Sequence, residues 1–170
     1  MKALLTYDGS KTSESIFPTT QRLLELVPDL DLHMLMVLNP RAAHDTPSRS
    51  IGDPKGAATG TMAVPAPSPR MVETHGEAEE RLSRETITEM RDVARSWFAG
   101  FEPTFHVEWS RDPAAAITEY AQRIEADVIV MATHGRSGLS HLLAGSVAEA
   151  VIRSSGRPVL VQGPPSGGQP

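Results

Sequence analysis

The 170-residue chain has no cysteine, which excludes a disulfide framework and any thiolate metal site while permitting a reducing compartment. Lysine is scarce. Lys2, Lys11 and Lys55 are the three it has, and with no G-x-x-x-x-G-K-[ST] anywhere a P-loop NTPase mechanism lacks its main parts. No G-x-G-x-x-G follows the first apolar segment, which argues against a dinucleotide dehydrogenase. Positive charge does not predominate: the formal net charge is −5 and the pI is near 5.7. A nonspecific nucleic-acid binder usually carries a clustered basic surface, so nucleic acid is not an expected partner. The N-terminus, MKALLTYDGS, offers only about four apolar residues before a turn, too few for a signal h-region or a spanning helix. The expectation is a soluble, cytoplasmic protein without a membrane partner, in which any anionic ligand is held by local geometry.

What is present is an alternation of short apolar runs and amphipathic stretches. Hydrophobic residues make up 39% of the chain, enough to fill one core, and a single domain over 1–163 is expected. Ala3 to Tyr7 reads as a strand that meets the turn Asp8-Gly9-Ser10. A helix follows through Ile16, Leu23, Leu24 and Val27, with Pro18 near its first turn. Leu32 to Leu38 is too apolar for a one-sided strand and suits the centre of a parallel sheet covered on both faces. From about 40 to 70 the chain gathers six prolines with glycine, alanine and serine and no periodicity, a long loop of the kind that serves as a lid or a disordered insertion.

Glu73 to Phe98 reads as the longest helix, with Trp97 in the core and Glu77, Glu79, Glu80 and Arg81 on its wet face. Phe105, Val107 and Trp109 alternate with polar residues as a third strand. Asp112-Pro113 opens a helix through Ile124, Asp127 to Met131 is a fourth strand, and a last helix leads to a fifth strand at Pro158 to Gln162. Residues 164–170 are expected to be a flexible tail. The order β-α-β-α-β-α-β-α-β predicts an α/β fold: an open five-stranded parallel sheet with helices on both faces, its ligand site where strand order reverses, among the loops after Tyr7, Leu38 and Met131.

The loop from Ala132 to Ser146 carries the most chemistry. Gly135 lets the backbone approach an anion, and Gly145 and Ser146 offer N–H groups and a hydroxyl at the positive pole of a helix, a geometry suited to di- or triphosphate. Ser146-Val147-Ala148-Glu149 also fits S-x-x-E, so Ser146 has a second reading as the cap of a capping box. Both readings stay open. His106 and Glu108 share one face of a strand, but two ligands without a third do not make a metal site, and His33, His44 and His75 show no partner pattern.

The spacing A-T-H-G, nine residues, G-S resembles the nucleotide loop of the universal stress protein family, G-x-x-G, nine residues, G-[ST]. ALLTYDGS is similar to that family's first strand and aspartate, RDPAAAI to its third strand-to-helix turn and RPVLVQG to its closing strand. The resemblance implies a Rossmann-like fold of the adenine nucleotide alpha hydrolase type that binds ATP, with Mg²⁺ left open. It implies that Asp8 holds the ribose hydroxyls, that the backbone of Val37 meets adenine, and that Met131 and Ala132 lie against the nucleoside. Gly135, Gly145, Ser146 and Val147 match the phosphate cradle, with His134 and Arg136 beside it. Ala132 stands where the motif has glycine, which is harmless only at negative φ, and Thr6 stands where nucleotide-binding members often have proline, on the adenine wall. The resemblance also implies a homodimer through Pro158–Gln162 and a role in stress signalling; apart from the resemblance, the place of the 40–70 segment directly after the strand that holds Val37 suggests that it folds over adenine as a lid. The alternatives are a slow ATPase or nucleotidyl-transfer enzyme using the same pocket, for which no general base is evident, or a nucleotide-free interaction module.

Overall fold

The computed structural model describes residues 1–45, 74–133 and 145–163, so most of the 40–70 segment, the 164–170 tail, and His134, Gly135 and Arg136 of the loop lie outside the described residues. Eleven elements follow in order: β1 (Lys2–Thr6), α1 (Lys11–Glu14), α2 (Phe17–Leu26), β2 (Asp31–Leu38), α3 (Arg41–Asp45), α4 (His75–Trp97), β3 (Thr104–Trp109), α5 (Pro113–Arg123), β4 (Val128–Ala132), α6 (Ser146–Ser154) and β5 (Val159–Gln162). The five strands form one parallel sheet in the order β3-β2-β1-β4-β5. This is the α/β architecture expected from the alternation.

Strand β1 explains why the apolar runs are unbroken. It pairs on both sides, Ala3 with Leu32 of β2 and with Val128 of β4, and Ala3, Leu4 and Leu5 are wholly buried, because a parallel strand covered by helices on both faces has no wet side. Successive residues serve opposite cores. Leu5, Met34 and Val130 meet Phe17 and Leu24 of α2 and Met90 and Ala94 of α4, whereas Leu4, Leu35 and Ile129 meet Ile117 and Tyr120 of α5 and Val151 of α6. Each such large, fully buried side chain contributes about 1.5–3 kcal/mol relative to exposure.

Several expectations are corrected. The first helix is two: Pro18 has no N–H to donate and is tolerated only in a first turn, so the chain makes the short α1 and restarts at Phe17 with Pro18 second. The opening of the expected 40–70 loop is the helix α3, begun where Asn39 Oδ1 accepts from Arg41 N–H at 3.0 Å. The longest helix starts at His75 behind a capping box, Thr74 Oγ1 accepting from Glu77 N–H and Glu77 Oε2 from Thr74 N–H. Its outer face carries the i,i+4 pairs Arg81–Glu85 and Arg84–Glu80. Trp97 is half-buried rather than core and meets Phe17 edge-on at 5.8 Å; Trp109 is half-buried too, its Nε1–H donating to Ser83 Oγ at 2.9 Å. Among the described residues no helix is long and apolar enough to cross a membrane.

The turn out of α5 contains a conformational cost. Glu125 is the one non-glycine residue with positive φ among the described residues, at 56°, and the next amide, Ala126 N–H, reaches back to Ala121 O at 2.8 Å, the long bond that closes a helix through a left-handed residue. Glycine pays no Cβ penalty there. Glu125→Gly is expected to raise the urea-unfolding free energy by about 0.5–1 kcal/mol, and a lowered midpoint would contradict this account of the turn.

Candidate functional site

The chain adds β2 and β3 on one side of β1, then returns to add β4 and β5 on the other. At such a reversal the loops leaving the two central strands part to opposite faces and open a crevice at the carboxyl ends. A cavity of about 390 Å³ lies there, between the ends of β1 and β4, within the range of about 300–1,000 Å³ usual for small-molecule sites.

One wall is the turn after β1. Asp8 Oδ1 accepts from Ser10 N–H at 2.9 Å, and Ser10 caps α1 by accepting from Ser13 N–H at 3.1 Å, so the carboxylate is placed by an Asx turn at a strand end. The floor is apolar, made by Val37, Met131 and Ala132 with Ile117 from α5. The opposite wall is the start of α6. Its first intrahelical bond is Glu149 N–H to Gly145 O at 2.9 Å, so the amides of Ser146, Val147 and Ala148 have no partner within the helix and sit at its positive pole.

Of the residues singled out in the sequence, Thr6, Asp8, Val37, Met131, Ala132, Gly145, Ser146 and Val147 all line this one cavity. Ala132 closes β4 and has no positive φ, so its methyl group is unstrained in place of glycine. The capping-box reading of Ser146 fails: Gly145 is the N-cap, in extended conformation, and no side chain caps the helix. Ser146 is the first helical residue, and Glu149 pairs with Arg153 at 2.7 Å instead of reaching back.

Thr133, Ser13, Pro113 and Ile117 also line the cavity and were not anticipated. Pro113 and Ile117 were within reach of sequence reasoning, since a helix that follows a parallel strand begins at the same carboxyl end as the site. Thr133 had no local signal. A wider groove of about 660 Å³, lined by Arg91, Arg95, Phe98 and Phe101, opens where the chain enters β3, at the opposite end of the sheet from the strand termini that bind ligands in such folds.

Residues 1–162 match the universal stress protein family, and the chain belongs to that family. A stretch of 79 residues is 39% identical to Universal stress protein MJ0531 of Methanocaldococcus jannaschii, covering 46% of this chain and 44% of that protein; the match thus spans less than half the length of this curated relative. Two solved structures share the fold over almost their whole length. The structure of the hypothetical protein MJ0577 superposes with a TM-score of 0.64 at 23% identity, covering 95% of this chain and 94% of that one. A universal stress protein in complex with cAMP superposes with a TM-score of 0.59 at 18% identity, covering 96% and 97%.

Behind the floor, α5 covers a histidine pair that no sequence pattern disclosed. Register pairs His33 of β2 with Thr104 of β3, two residues before His106 on the same face of the sheet. Their rings stack with centroids 5.5 Å apart, His33 Nδ1 lies 3.4 Å from His106 Nε2, and His33 Nε2 lies 3.1 Å from Asp31 Oδ2. The Asp31 carboxylate accepts a hydrogen bond from His33 Nε2–H, which leaves Nδ1 to accept from His106 Nε2–H; this tautomer is assigned from the network. Glu108, considered with His106 as a metal ligand, pairs with Arg123, and among the described residues no three acidic or histidine side chains converge on a metal position.

Burial, His33 and Arg123 together hold the His106 pKa below its ordinary 6.5, against a smaller opposing pull from Glu108. Neighbouring Tyr120 is pushed up to about 12, chiefly by burial, and stays neutral. The unfolded chain therefore takes the His106 proton more readily than the folded one, and stability is lost as pH falls below about 6.5. Urea unfolding near pH 7.5 and near pH 5.5 should register this loss, with a smaller drop in His106→Gln. An equal drop in both proteins would remove His106 as its source.

Proposed function

We propose that the chain is an ATP-binding universal stress protein that acts as a nucleotide-dependent dimer in cytoplasmic stress signalling. The observation that carries this reading is the opposition, across one cavity with an apolar floor, of a single carboxylate and a row of open helix amides. A nucleoside triphosphate has the matching order of parts: hydroxyls to donate to a carboxylate, a flat apolar base, and anionic oxygens to accept from N–H groups. In this reading Asp8 accepts the ribose hydroxyls and the backbone of Val37 meets adenine. Thr6, Met131 and Ala132 wall the nucleoside, while Gly145, Ser146 and Val147 cradle the phosphates. His134, Gly135 and Arg136, in the loop between β4 and α6, complete the cradle by their place in the motif. The cAMP complex of a related fold favours an adenine nucleotide as the ligand class. A Mg²⁺ accompanying the ligand would ride on the phosphates, since Asp8 is the one carboxylate lining the cavity among the described residues.

Hydrolysis has no part in the reading. With Asp8 committed to the ribose, the described lining offers no base to activate water. The direct test is to denature the purified protein and identify what it releases. Near-stoichiometric ATP is expected, and Asp8→Ala should weaken rebinding about tenfold or more, as loss of a charged hydrogen-bond acceptor does. Clean apo protein with no measurable ATP affinity would move the chain to the nucleotide-free interaction modules.

The dimer is assigned to β5, an edge strand of four residues on which Leu160 is 38% exposed. An apolar edge of this kind needs covering or pairing. Light scattering at concentrations on the order of tens of micromolar should return twice the chain mass, and a monomer there would remove this interface.

A further inference from the structure

Within the cavity lies a hydroxyl whose proton has no acceptor among the described residues. Thr133, just beyond β4, is 3% exposed and lines the same space as Asp8 and Ser146. Its Oγ1 accepts from Gly145 N–H at 2.6 Å, and its own N–H donates to Gln162 O at 2.8 Å. No described residue accepts from the Thr133 hydroxyl. A donor buried this deeply is costly to leave unmade, and one that already receives an amide hydrogen bond is polarised into a stronger donor. At the positive pole of α6 the acceptor that suits it best is an anionic oxygen.

Gly145 belongs to the same device. Its φ of −61° and ψ of 160° are open to any residue, so backbone freedom does not call for glycine. A Cβ there would come within 3.0 Å of Thr133 Oγ1. The missing side chain leaves the hydroxyl room to sit against the Gly145 amide, directly before the first residue of α6.

We infer that Thr133 binds and positions the phosphates: it holds the Gly145 amide with its oxygen and donates its proton to a phosphate oxygen, so that this amide reaches the ligand through the hydroxyl. The inference rests on the adenine-nucleotide reading above. It makes Thr133 a sensor of phosphate, as distinct from nucleoside, because adenosine has no oxygen to place there.

Calorimetry with ATP and with adenosine on the wild-type chain, Thr133→Ser, Thr133→Val and Thr133→Ala tests this. Serine should keep ATP affinity within about threefold, whereas valine and alanine should lose about tenfold or more for ATP and less than about twofold for adenosine. Thr133→Ala leaves room for water at the Gly145 amide, so it serves if Thr133→Val fails to fold. A folded valine or alanine variant that binds ATP like wild type overturns the inference. So does one that loses ATP and adenosine by the same factor, since that marks a purely structural role. Wild-type chain with no affinity for either ligand overturns the nucleotide reading and this inference with it, whereas wild-type binding beside an indifferent variant overturns this inference alone.

Discussion

The pairing of β1 with both β2 and β4 is the constraint from which the remaining architecture follows. Because Ala3 meets Leu32 on one side and Val128 on the other, both edges of β1 are used and both its faces are covered. The chain then has to travel outward in one direction through β2 and β3 and return past its own start to lay down β4 and β5. Right-handed crossovers send the helices of the first excursion to one face and those of the second to the other. The separation of the two cores, and the crevice at the ends of β1 and β4, are products of that reversal.

How much of this was legible depended on how local the cause was. Strands β1, β2 and β4 announce themselves because burial on both faces leaves no polar alternation to obscure an apolar run. Asp112-Pro113 announces α5, since Asp112 Oδ1 accepts from Ala115 N–H at 3.1 Å and Pro113 needs no donor. The letters around Thr74 spell a capping box with equal clarity, but a helix read from Glu73 onward takes Thr74 as a helical residue, whereas it is the N-cap of a helix that begins at His75. Ser146 is the instructive failure. S-x-x-E is a local motif, whereas the helix starts from Gly145, whose N–H is held by Thr133 Oγ1 twelve residues upstream of it, a contact that no local pattern encodes.

The same limit hid the histidine pair. His33 and His106 are 73 residues apart and meet only through the register of β2 on β3. Read locally, His106 has Glu108 as its nearest companion and His33 shows no partner pattern. The candidate site was more legible than either, because its residues sit at strand ends and at a helix start, positions that composition and turn chemistry mark in the sequence itself. The residues that join those positions to one another were the ones that stayed out of view.

Lys2 and Asp127, which bond where β1 and β4 enter the sheet, are 125 residues apart, and the Gln162 side chain reaches the Ser15 carbonyl across 147. Loop closure over such spans costs entropy before any contact offsets it, and chains ruled by distant pairings fold slowly. Asp8 belongs to the beginning of the chain and the α6 amides to its end. A ribosome that has released the first hundred or so residues has therefore made the carboxylate but no cradle for it to face. The cavity is among the last features to exist, and a ligand that spans it acts on the finished fold, tying together two parts of the chain that were made far apart in time.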